Sequence, residues 1–137
     1  MAITTAICSS YKKELFDGTH ASGDTYKIAL FSDSATLSAV TTAYSTSNEV
    51  SGAGYVAGGK TLSGFTSGID GTTAYLTFAD ASWTSATITA RGCLIYNSSK
   101  SNKAVAVFDF GQNVTSTNGT FTVDFPGTGS ASLIRIA

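Results

Sequence analysis

A chain of 137 residues with 42% hydrophobic and 11% aromatic side chains can bury one real core, and its 12% charged content and net charge of −1 exclude the charge-rich, apolar-poor composition of disordered chains. Its eight lysines and arginines adjoin only at Lys12 and Lys13, so there is no basic stripe for neutralising phosphates and nucleic-acid binding is not expected. One histidine (His20), one tryptophan (Trp83) and one proline (Pro126) leave no dense local group of titratable side chains of the kind that acid–base or metal catalysis requires.

The N-terminal segment has no basic stretch followed by a continuous apolar run, and no stretch reaches membrane-spanning length; the expectation is a soluble protein made in a cytoplasm without a cleaved signal and without a membrane partner. Ile3, Ile7, Tyr11 and Leu15 recur at four-residue spacing and predict an α-helix over about 3–17, capped by Thr4 or Thr5 and ended by Gly18. Its apolar face is expected either to pack across the open end of a sheet or to dock on a neighbouring subunit.

Residues 25–31 alternate with Tyr26, Ile28 and Leu30 on one side, which predicts a strand. Between 32 and 54 the pattern dissolves into Ser, Thr and Ala with anchors at Leu37, Val40, Tyr44 and Val50, predicting a long ordered loop with a helical turn near 34–37 and a role in contacting a partner. Strands are then predicted at 59–65, 73–79, 86–96, 103–110, 120–125 and 132–137, separated by turn-forming stretches at 68–71, 80–85, 97–102, 111–119 and 126–129. Leu76 and Phe78, and Phe121, Val123 and Phe125, supply the inward stripes. Gly92 predicts a bulge or a close backbone approach, and Asp109, beside Phe108 and Phe110, must face water or find a partner. With no helical pattern between the strands, the fold class is mainly β: an antiparallel β-sandwich or jelly roll with one N-terminal α-helix, in a single domain over 1–137.

Cys8 and Cys93 lie far apart with no CxxC and no nearby histidine, which predicts two buried thiols and neither a zinc nor a redox site. Gly54 to Thr61, GYVAGGKT, matches the letters of a phosphate-binding loop, but LSGFTSGIDG follows and cannot supply the helix that such a loop needs, so a glycine-rich turn entering a strand is expected. His20, in DGTHASGD, sits in a turn where a lone histidine is usually solvent-exposed, and no GxSxG elbow accompanies it. No feature selects a pair among the nine carboxylates for glycoside chemistry. Asn97, Asn113 and Asn118 head Asn-x-Ser/Thr triplets at a frequency that this Ser- and Thr-rich composition produces by chance. Trp83 and the six tyrosines, Tyr11, Tyr26, Tyr44, Tyr55, Tyr75 and Tyr96, are assigned to the core or to a subunit contact ahead of a sugar-stacking platform. No catalytic, cofactor-binding or metal-ligating residue and no cofactor is expected.

The run GDTYKIALFSDSATLSAVTTAYSTSNEVSGAGYVAGGKTL, within 23–62, resembles a family of small tailed-bacteriophage virion proteins, whose members carry a strand like FKVALYTS, then Thr-Ala-Tyr-Ser, Asn-Glu-Val-Ser-Gly and Gly-Tyr-x-Ala-Gly-Gly. The similarity takes in the preceding helix and, more loosely, the later strands as far as Asp124 to Gly127, so it covers most of the chain. The resemblance implies a virion structural protein with no catalytic residues, assembled in a host bacterial cytoplasm. The leading expectation is a capsid decoration or cement protein that binds the major capsid protein on the outer shell as a small homo-oligomer such as a trimer. A tail, collar or fibre-associated component, with glycan binding among its roles, is the second expectation, and a small glycan hydrolase the third.

Overall fold

Runs of β-branched and aromatic residues build most of the molecule, and their registers gather them into two sheets. The computed structural model describes residues 2–129 and 131–136. In chain order its elements are β1 (Ala6–Ile7), α1 (Ser9–Phe16), β2 (Tyr26–Phe31), β3 (Lys60–Thr61), β4 (Thr66–Asp70), β5 (Thr73–Thr77), β6 (Ala81–Asn97), β7 (Lys103–Val123) and β8 (Ile134–Ile136), with a 3-10 turn at Ser98–Lys100 between β6 and β7. A five-stranded sheet runs β1-β7-β6-β2-β3 and a three-stranded sheet β4-β5-β8, with antiparallel pairing between all neighbouring strands. The mainly β, antiparallel, sandwich-like fold with one helix is as expected from the sequence.

The centre of the large sheet is apolar on both faces: residues 92–97 of β6, 28–31 of β2 and 104–107 of β7 are all buried. One face carries Tyr26, Ile28 and Leu30, opposite Asn97, Ile95 and Cys93. Tyr26 there meets Phe65 and Phe78, which lead into and out of the small sheet. The other face carries Phe31 and Tyr96, and both touch Tyr44 of the long loop, Tyr96 in a stacked pair with centroids 4.5 Å apart. The loop between β2 and β3 is therefore a third layer, covering the sheet face that the small sheet leaves bare. Ala35, Leu37, Val50 and Tyr55 are its buried side chains, and the expected helical turn near 34–37 is a hydrogen-bonded turn at 33–34 followed by a bridge from Leu37 to Ile3.

Several expected boundaries move for identifiable reasons. Helix α1 begins at Ser9 rather than near residue 3, because Ile3 bridges Leu37 and β1 pairs Ala6 and Ile7 with Val107 and Ala106. β-Branched Ile3, Thr4, Thr5 and Ile7 gain more from sheet edges than from a helix, and Cys8 takes the N-cap position without a side-chain bond. The expected end holds: at Gly18, φ 73°, the amides of Gly18 and Thr19 return to the carbonyls of Leu15 and Glu14. Residues 103–110, 111–119 and 120–125 are not two strands and a loop; β7 runs unbroken through GQNVTSTNG, and β6 starts at Ala81 inside the expected 80–85 separator. Residues 59–65 contribute only the short β3, while 66–70, expected in part as a turn, form β4. The last strand is β8, and Ala137, placed in a strand by the sequence, lies outside the described residues.

Candidate interaction surface

The long loop is fastened by one carboxylate. Glu49 accepts hydrogen bonds from the hydroxyls of Tyr44 at 2.6 Å and Tyr55 at 2.5 Å and from the amide of Gly58 at 2.9 Å. Tyr55 in turn accepts from the amide of Leu30 in β2, and Tyr96 of β6 donates to the Gly58 carbonyl at 2.6 Å. Burial, reinforced by Glu49, pushes the Tyr44 and Tyr55 hydroxyls far above their ordinary range, so both remain donors. Gly54 and Gly59 complete the fastening by proximity: a Cβ on Gly59 would stand 1.8 Å from the Ile28 carbonyl oxygen, and one on Gly54 2.7 Å from the Ala86 Cα. The residues common to Thr-Ala-Tyr-Ser, Asn-Glu-Val-Ser-Gly and Gly-Tyr-x-Ala-Gly-Gly thus meet in space as one folding unit.

His20 corrects the sequence expectation, for its side chain is only 1% exposed. Asn97 fixes its tautomer: the Asn97 Oδ1 accepts from the Ser99 amide, and its Nδ2 donates to Asp24 at 2.8 Å and to His20 Nδ1 at 3.0 Å. His20 Nδ1 is therefore an acceptor, and Nε2 carries the proton that it donates to Glu14 Oε1 at 2.8 Å. Lys100 reaches both Asp24 oxygens at 2.8 and 2.9 Å, and Lys103 lies 3.8 Å from Glu14. The Tyr11 ring flanks the imidazole at 4.7 Å. This cluster borders a cleft between α1 and the small sheet, but both imidazole nitrogens are committed within it, so its geometry ties α1 to the end of the β6–β7 hairpin. Nothing in DGTHASGD signals this; the partners come from positions 77 and 73 residues away from His20 and Asp24.

The outward face of β6–β7 is lined by short polar side chains bonded across the strands. Ser82 pairs with Thr122 and Thr89 with Thr115, each at 2.9 Å, and Thr87 accepts from the Asn118 amide. Asp109 finds its partner in Arg91 at 2.8 Å, which with the Gly111 amide holds its carboxyl below the ordinary range. A shallow groove separates this face from the loop, lined by Ser32, Ser51, Thr87, Thr89 and Thr115.

An apolar surface opens on the small sheet beside α1. Ser67, Leu76 and Ile134 form one row across β4, β5 and β8, and Ile69, Ala74 and Ile136 form the next row on the same face. Leu76 and Ile134 are buried, but Ile69 is 77% and Ile136 58% exposed, so the second row overhangs the core. Phe16, at the end of α1, is 92% exposed and lines a cleft of about 380 Å³ with Tyr11, Leu15, Ile134 and Ile136. Phe16 stands outside the expected helix face, whose residues Ile3, Ile7, Tyr11 and Leu15 belong to or pack against the molecule's own core.

Lys60 and Thr61 of the phosphate-loop letters form β3, and the Lys60 ammonium donates to the Ser82 carbonyl, so no helix N-terminus follows the glycines. Cys8 and Cys93 are free and buried, as expected; burial raises their thiols to about 11 and about 12. A scan against family models and searches of curated proteins and of solved structures each found no match.

Proposed function

We propose that the chain is a bacteriophage virion structural protein that decorates and stabilises the capsid shell. The observation that carries this reading is the unit around Glu49: the letters that carry the family resemblance, Tyr44, Glu49, Gly54, Tyr55, Gly58 and Gly59, are coupled through one carboxylate and two tight glycine contacts. Coupled residues of this kind share a fold requirement, which scattered matching letters do not. A fastened loop and a cross-bonded polar face also suit a module that must present a surface without reorganising, since less ordering entropy opposes its binding. A protein that binds the assembled shell and not its separated parts raises the free energy needed to open it. The polar face of β6–β7 with the adjoining loop groove is the surface assigned to shell contact.

Densitometry of particles purified from the phage that encodes the chain tests this placement. Copy numbers on the order of hundreds per particle are expected for a shell protein built on repeated capsid positions. A count in the tens would move the assignment to the tail or collar, and particles without the chain would overturn the virion reading.

A further inference from the structure

We propose that the apolar overhang is a self-association surface, in which Phe16 of one copy enters the cleft between α1 and β8 of a second copy. The partner is identified by shape: the knob, Phe16, stands on the rim of the cleft lined by Tyr11, Leu15, Ile134 and Ile136, so knob and hole lie side by side on one patch. A patch holding both is self-complementary about a twofold axis, each Phe16 filling the other copy's cleft. A pair, rather than a ring of three, is the assembly that this geometry closes.

The size fits. Phe16, Ile69 and Ile136 alone expose on the order of 400 Å² of apolar side chain, already at the scale of the largest patches on monomers. With Leu15, Ala74 and the rim, such a surface supplies the centre of an interface of about 800 Å² per partner, which a stable dimer needs. Lys12 and Arg135 line the cleft beside its apolar residues, Lys13 and Asp17 pair with each other on α1 next to Phe16, and the net charge of −1 opposes pairing of like molecules very little. β8 adds a further element: it is an edge strand of the small sheet, bordering the same cleft.

Self-association is independent of shell binding, because it is measured on the isolated chain. Sedimentation velocity from micromolar to near-millimolar concentration should show a concentration-dependent dimer, and Phe16→Asp should weaken it by roughly 30-fold or more, as loss of a central anchor does. Phe16 is almost fully exposed, so the variant should keep the wild-type circular dichroism and, at concentrations low enough for both chains to be monomeric, the wild-type thermal midpoint. Mixing Phe16→Cys with Ile136→Cys chains under mild oxidation should yield a mixed disulfide dimer. A wild-type monomer throughout the range, an oligomer unaffected by Phe16→Asp, or no mixed disulfide would each overturn the proposal. None of these outcomes alters the copy count on particles, so the two readings fail separately.

Discussion

Asp24 shows how single side chains set the chemistry of this molecule's joints. The Lys100 ammonium, aided by Asn97 and the Ala21 amide, holds its carboxyl at about 2, below the ordinary carboxylate value of about 3.9. A carboxyl depressed in the folded state stabilises the fold above the unfolded value, and that contribution disappears as pH falls from about 4 through about 2. Asp24→Asn should therefore be less stable than wild type at neutral pH, and the difference should shrink toward zero between pH 4 and pH 2, as followed by urea midpoints across that range. A constant difference would place the role of Asp24 in packing rather than in its charge. The same junction marks a limit of sequence reading. Asp24 is separated from Asn97 and Lys100 by more than seventy residues and becomes their neighbour only when β2 pairs with β6.

Elements were legible where periodicity was strong and blurred where turn-forming residues sit inside strands. Alternation located β2, β5 and the apolar half of β6 to within a few residues. In β7, Gly111 and Asn118 resemble turn formers, yet the β6–β7 ladder absorbs such points through register shifts while β-branched Val114, Thr115 and Thr117 keep the strand extended. At the N-terminus a four-residue apolar spacing suited helix and strand alike, and pairing with β7 decided between them. Gly92 is both a bulge and a close approach, since the ladder shifts register between Ala90 and Gly92 and a Cβ there would meet the Phe108 carbonyl oxygen at 2.5 Å and Ile3 Cγ2 at 2.9 Å. Gly92→Ala should consequently cost about 2 kcal/mol by overpacking. Gly127→Ala, whose Cβ meets nothing, should leave the denaturant midpoint unchanged. Equal midpoints for the two variants would refute the tight contact.

At the scale of the whole molecule there are three layers: the large sheet in the middle, the small sheet with α1 beside it on one face, and the long loop with Ile3 on the other. The sequence disclosed the loop's length and its anchors Leu37, Tyr44 and Val50, while Val40, expected as a fourth anchor, is 80% exposed; it did not disclose that Glu49 joins them, because a lone carboxylate in a Ser- and Thr-rich stretch carries no periodic signal. Nor did it disclose the overhang at Ile69 and Ile136, which depends on how far the small sheet extends past the large one. Rigidity of the loop layer is what the proposed surface-presenting role depends on, and native-state hydrogen exchange measures it directly. The amides of Tyr44, Val50 and Gly58, bonded to Asn102, Leu30 and Glu49, should exchange nearly as slowly as those of the β2–β6 ladder, and Glu49→Ala should release all three together by tenfold or more, the loss expected from about 1.5 kcal/mol or more per charged hydrogen bond. Exchange of these amides at the rate of an open loop in the wild-type chain would contradict the account.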